Sequence, residues 1–114
     1  MKLVKRTAVI VIPKQPYIDW ANSVDDDDFR YDENPPQEHT IYLVDDMSEY
    51  IVDTIDIIKP YYQVIFEEEL NGWHRVVSDW PPNRDLDMFL KWFEVQIHSM
   101  VIDLHPGRLR TERY

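Results

Sequence analysis

RTAVIVIPKQPYIDW, residues Arg6–Trp20, is the stretch around which the rest of the chain is organised. Thr7–Ile12 is dominated by β-branched residues and shows no polar–apolar alternation, the pattern of a strand covered on both faces. Pro13 cannot donate to a ladder, so the strand is expected to stop there. Pro16 suits the first turn of a helix, where a missing N–H costs nothing. Tyr17, Ile18, Trp20, Ala21 and Val24 then give a short amphipathic helix.

Outward from this stretch, the clearest linker is Asp25–Gln37, DDDDFRYDENPPQ. Its charge and the Pro35-Pro36 pair stop any helix, and it reads as a flexible acidic loop. His39–Val44 is expected to be the second strand. Asp45 and Asp46 follow it and can cap the next helix. From Met47 through Tyr50, Ile51, Ile55, Ile58, Tyr62, Ile65, Phe66 and Leu70, apolar residues recur at intervals of three and four, a helical stripe. Pro60 lies inside the stripe and must kink one helix or separate two at a tight junction. Asn71-Gly72 is a good helix stop. Trp73–Pro82, WHRVVSDWPP, is irregular but aromatic and should pack on the core.

Asn83 can cap a further helix whose buried stripe is Leu86, Phe89, Leu90 and Phe93. Ile97–Leu104 is expected to be a third strand, ending at Pro106-Gly107. The order is β-α-β-α(α)-α-β, an α/β or α+β fold with a small three-stranded sheet. Its apolar strand, residues 7–12, is central, and helices pack on the sheet. At 114 residues the chain is expected to form one domain, with the acidic loop at about 25–37 as its mobile part.

Composition narrows function by exclusion. The net charge of −10 disfavours nucleic acid and anionic membrane surfaces, both of which need a basic footprint. The absence of cysteine removes disulfides, thiolate metal sites and cysteine nucleophiles and suits a reducing cytoplasm. With glycine only at positions 72 and 107, phosphate-cradling loops are excluded. The N-terminal apolar run is short, ends in Pro13-Lys14 and lacks a cleavage pattern. No stretch approaches the roughly 20 apolar residues of a membrane span. No cofactor and no metal site is implied.

Four constellations could carry chemistry. The run Asp25, Asp26, Asp27 and Asp28 lacks the alternation and glycine of a calcium loop and reads instead as a partner-binding segment for a basic protein surface. His98, Ser99 and Asp103 share the third strand, but His98 points opposite to the other two. His74 with Arg75, Asp79 and Trp80 could form an acid–base pair among aromatics, and His39 and His105 flank strands. Lys14 and Gln15 follow the central strand, at the end where open α/β sheets hold ligands. If strands one and two are parallel, Lys14, Gln15, Asp19, Asp45 and Asp46 share one edge, and His98 and Asp103 complete a candidate pocket.

The segments IPKQPYIDW (12–20), WHRVVSDWPP (73–82) and WFEVQIHSMVIDL (92–104) resemble a family of small uncharacterised bacterial proteins. The resemblance implies a bacterial cytoplasmic protein and transfers no catalytic residue. The residues themselves point to a non-enzymatic interaction or regulatory module. The alternative is a small hydrolase-like or divalent-metal-dependent enzyme with its site at the strand ends. A homodimer built on exposed aromatic surface is a third arrangement.

Overall fold

The computed structural model describes residues 1–24, 30–31, 38–46 and 53–114. The fold is α+β. Its main sheet has three strands, β2 (Thr7–Pro13), β3 (Ile41–Val44) and β4 (Phe93–His98), in the order β3-β2-β4. The apolar strand is central, as its composition requires. Both of its pairings are antiparallel, with Thr7 opposite Val44 and Ile10 opposite Ile41 on one side, and Ala8 opposite His98 and Pro13 opposite Phe93 on the other. A second, two-stranded pairing joins β1 (Lys2–Leu3) to β5 (Ile102–Asp103), also antiparallel.

Among the described residues, four α-helices supply the other layer: α1 (Gln15–Ser23), α2 (Thr54–Ile58), α3 (Tyr62–Trp73) and α4 (Leu86–Trp92). Pro16 falls in the first turn of α1. The stripe that crosses Pro60 divides into α2 and α3 at a junction of only Lys59, Pro60 and Tyr61. The turn is tight enough for the Tyr61 N–H to donate to Ile58 O at 2.8 Å, so the two short helices keep their apolar faces in phase. Ile57, Ile58, Ile65, Phe66 and Leu70 are all buried. The upstream part of that stripe, Met47, Tyr50 and Ile51, lies outside the described residues.

Several boundaries differ from the sequence reading, each for a physical reason. The helix α3 runs through Asn71-Gly72 to Trp73, and neither described glycine takes a positive φ. The side chain that caps α4 is Asp85, which accepts from the Met88 N–H at 2.8 Å. Asn83 instead adopts φ 57°, a left-handed conformation that asparagine tolerates well. The third strand begins at Phe93 and not at Ile97. Phe-Glu-Val-Gln-Ile-His alternates strictly, with Phe93 buried and Glu94, Gln96 and His98 exposed. Phe93 also completes a spacing of four from Phe89, which makes it look helical. Both positions face the same core, so the chain changes from helix to strand without a connecting loop.

Burial is asymmetric across the sheet. Val9, Val11, Val44 and Phe93 join the helices in one core cluster, with Tyr42, Val95 and Ile97 packed against it. Ala8, Ile10 and Ile12, the alternate positions of β2, lie outside that cluster. The expectation of a strand covered on both faces holds only in part: the helical layer packs on one face, while on the other Ala8 is buried, Ile10 and Ile12 are half-buried, and Ile41 and Leu43 of β3 stay 60% and 47% exposed. The centre of the core is aromatic. Phe66, Phe89 and Phe93 meet at ring-centroid distances of 5.1–5.7 Å. Such pairs contribute about 0.5–1.5 kcal/mol each beyond the area they bury.

Candidate functional site

A cleft of about 220 Å³ opens where β2 ends and the chain enters β3, beneath the second half of α3. Pro13 closes β2, and Glu38, His39 and Thr40 lead into β3. Helix α1 supplies Tyr17, and α3 supplies Glu68, Glu69, Gly72 and Trp73. Tyr31 and Tyr114 complete the lining. Among the described residues the lining thus includes four aromatic side chains and three carboxylates.

The position of each group follows from its element. Glu69 lies four residues after Ile65 and three after Phe66, on the flank of the buried stripe of α3, so the helix carries its carboxylate inward. Its Oε2 accepts from the Tyr42 hydroxyl at 2.5 Å. The Tyr17 hydroxyl donates to the Glu69 backbone carbonyl at 2.7 Å. Among the described residues, no lysine or arginine pairs with Glu68 or Glu69. Glu68 accepts from the Tyr114 hydroxyl at 2.7 Å, although Tyr114 is otherwise fully exposed.

The electrostatics reflect this lack of a counter-charge. Burial raises the Glu69 carboxyl above its ordinary range, opposed by the Tyr42 hydrogen bond and by His39, and helped by the charge of Glu68. Burial and the Glu69 charge push the Tyr17 and Tyr31 hydroxyls upward in turn. Tyr42 is raised by burial, by its hydrogen bond to Glu69 and by that carboxylate's charge. All three therefore remain neutral donors at physiological pH.

The aromatic walls are fixed from behind. Trp73 Nε1 donates to Ala21 O at 3.0 Å, which ties α3 to α1. Tyr31 meets Trp73 edge-on at 5.0 Å and Tyr17 at 5.7 Å. The Tyr31 N–H donates to Asn22 Oδ1 at 2.7 Å. Tyr31 is only 7% exposed. It stands within a segment expected to be solvated loop, and its anchoring is the main departure from that reading.

The residues singled out from the sequence are divided between the two ends of the antiparallel sheet. Lys14 and Gln15 follow the Pro13 end of β2. Asp45 and Asp46 follow Val44, which is opposite Thr7, and His98 is opposite Ala8, so these three lie at the other end. Lys14 Nζ donates to Leu90 O at 3.0 Å and serves the C-terminus of α4. Gln15 donates to Asp19 Oδ1 at 2.8 Å along α1. The Asp45 N–H donates to the Tyr61 hydroxyl at 3.3 Å. Asp103 accepts from the His105 N–H at 2.9 Å, and His105 Nδ1 accepts from the Gly107 N–H at 2.9 Å, a local turn. His74 Nε2 and Asp79 Oδ2 do meet, at 2.8 Å. They brace the irregular segment, with Trp20 Nε1 donating to Asp79 O at 3.0 Å and Trp80 Nε1 to His74 O at 2.8 Å. Asp25–Asp28 lie outside the described residues.

Sequence reasoning missed Glu68, Glu69, Tyr17, Tyr31, Tyr42 and Trp73 as one group. A signal for Glu69 was present, a carboxylate in register with an apolar helical stripe. No sequence signal joins α3 to the start of β3. Among the described residues, no three histidine, aspartate or glutamate side chains are placed to hold a metal ion, and no helix is long and apolar enough to cross a membrane. Compared with protein-family models, curated proteins and solved structures, the chain matches none.

Proposed function

We propose that this protein is a small non-enzymatic interaction module that captures a basic segment of a partner protein at the cleft between α3 and β3. The observation that carries the reading is Glu69, a half-buried carboxylate with no cationic partner among the described residues, set in an aromatic cleft of about 220 Å³. That volume is below the roughly 300–1,000 Å³ of small-molecule sites, so it suits one side chain better than a whole metabolite. The net charge of −10 favours encounter with a basic surface, and Asp25–Asp28 contribute to it. Lack of cysteine and the family resemblance support a bacterial cytoplasmic setting.

The strand-end enzyme has less support. Lys14 and Asp45 belong to opposite ends of the sheet, and the Lys14 ammonium already donates to Leu90 O.

The test is calorimetric titration of the full chain with lysine and arginine decamers, with a glutamate decamer as control. Binding of the basic peptides that weakens steeply with salt, and is lost in the Glu68→Gln/Glu69→Gln double variant, is the expected result. No heat with either basic peptide at low salt overturns the module reading.

A further inference from the structure

We propose that the protein self-associates through β4, whose outer edge pairs antiparallel with the same edge of a second copy across a two-fold axis at Gln96. This surface is separate from the cleft between α3 and β3, because β3 forms the other edge of the sheet.

The first observation is the direction of the backbone groups. The Lys14 N–H donates to Trp92 O at 2.8 Å. In the β2–β4 register, Ile12 is opposite Glu94, Ile10 opposite Gln96 and Ala8 opposite His98. Together these place the hydrogen-bonded pairs of the ladder at Glu94, Gln96 and His98. The N–H and C=O groups of Val95 and Ile97 therefore point away from β2. In the order β3-β2-β4, no strand lies on that side among the described residues. Sheet edges are commonly blunted by lysine, proline or a bulge. Phe93–His98 contains neither residue, and its register with β2 runs without a break. The opposite edge is less available. The strand β3 is shorter, Ile41–Val44, and the Asp45 N–H that follows it is taken by the Tyr61 hydroxyl at 3.3 Å.

The second is the self-complementarity of the strand. With Gln96 opposite the partner's Gln96, Glu94 stands opposite the partner's His98, and Val95 opposite the partner's Ile97. Glu94, Gln96 and His98 are exposed, and among the described residues none of their side chains has a hydrogen bond or ion pair. An imidazole N–H donates to a carboxylate, so both carboxylates gain a partner, one on each side of the axis. Moving the axis to Val95 sets Glu94 against the partner's Gln96. Moving it to Ile97 sets Gln96 against the partner's His98. Only the Gln96 axis joins acid to base. These three residues also fall at non-hydrogen-bonded positions of the new ladder, where facing side chains come closest.

The third is the apolar flank. Val95 and Ile97 are half-buried and pack against the core cluster. In the proposed register each covers its counterpart across the seam, so the apolar layer under the sheet continues from one copy into the next.

The experiment uses the full chain. Sedimentation equilibrium from about 10 μM to about 1 mM should show a monomer–dimer equilibrium, and a monomer at every concentration overturns the proposal. Single cysteines read the register, because the chain has none of its own. Gln96→Cys sets two sulfurs opposite each other at a Cα separation of about 4.5 Å, which a disulfide can span. It should give a covalent dimer under mild oxidation. Glu94→Cys, whose two sulfurs lie on opposite sides of the axis, should not. No crosslink at position 96, or equal crosslinking at both positions, overturns the edge pairing. Both residues are exposed, so neither change threatens the core.

Charge gives a second readout that needs no cysteine. Glu94→Lys should weaken the dimer about tenfold, since two cross-strand pairs are lost. Glu94→Lys/His98→Glu reverses each pair and should restore association. A double variant as weak as the single one overturns the proposed register. Capture of the basic decamers is measured separately. A monomeric chain that still binds them overturns the dimer and leaves the interaction module standing.

Discussion

The Tyr42 hydroxyl and Glu69 Oε2 lie 2.5 Å apart, and through them the edge strand β3 is fastened to the middle of α3. A hydrogen bond to a charged partner contributes about 1.5–3 kcal/mol, and the lower figure suits this half-buried pair. Tyr42→Phe should therefore destabilise the fold by about 1.5 kcal/mol at pH 8. The loss should be smaller at pH 4, where Glu69 gains its proton and the bond becomes neutral. Urea unfolding at the two pH values measures both, and an equal loss at each would show that Glu69 is not the partner that matters.

Glu69→Gln is expected to act in the opposite direction. The folded-state pKa of Glu69 is raised above its ordinary 4.5, by burial first and then by Glu68, against the Tyr42 hydrogen bond and His39. The native chain thus holds the proton that the unfolded chain has released. Stability from this group is fully present below 4.5 and is lost as pH rises through the folded value. At pH 7 the amide variant should melt higher than the parent chain. Its advantage should shrink as the solution is acidified, which a series of melting curves from pH 7 to pH 4 would reveal.

Tyrosine ionisation provides a second pH signature. Burial pushes Tyr17 and Tyr42 well above the ordinary 10.0, with Glu69 adding to both. The native state keeps their protons where the unfolded state gives them up, so stability should fall as pH rises above 10. Ultraviolet difference spectra should show Tyr17 and Tyr42 ionising only together with the loss of native circular dichroism. Smooth ionisation of every tyrosine in a still-folded chain would contradict the burial of these hydroxyls.

Phe66 contacts Phe89, Phe93 and Trp92 and has no exposed surface. Phe66→Ala should cost about 3–5 kcal/mol, the range for aromatic truncation in a core. Val64 is two residues away on the same helix but 69% exposed, and Val64→Ala should change stability by less than about 0.5 kcal/mol. Denaturant midpoints for the pair decide whether the stripe faces the sheet as described.

Lys14→Met separates a structural role from a ligand-binding one. The ammonium donates to Leu90 O at 3.0 Å, near the negative end of α4. Cations at helix C-termini contribute about 0.3–1 kcal/mol, so a stability loss of about 0.5 kcal/mol is expected. Peptide binding in the cleft should be unchanged. A variant that folds normally but no longer binds would return Lys14 to the site.

The legibility of the site differed residue by residue. Glu69 could be suspected from its spacing after Ile65 and Phe66. Tyr31 could be noticed as an aromatic in an otherwise acidic stretch. Tyr42 looked like any strand aromatic. What unites them is the approach of α3 to β3, which separates partners by 27 positions in sequence. No local pattern encodes that distance.

The sequence by itself determined the central place of Thr7–Ile12, the helical start at Pro16, an interruption at Pro60 and the mixed helix–strand order. These are local matters of branching, fixed φ and apolar period, which act over a few residues. Tertiary structure decided the rest. Antiparallel pairing separated Lys14 from Asp45 by the length of the sheet. Core packing turned Phe93 from the end of a helix into the start of a strand. The fold of α3 over β3 enclosed Glu69 among three tyrosines. Each outcome depends on which distant surfaces can be buried together, a global condition on volume and hydrogen bonding that no short segment contains.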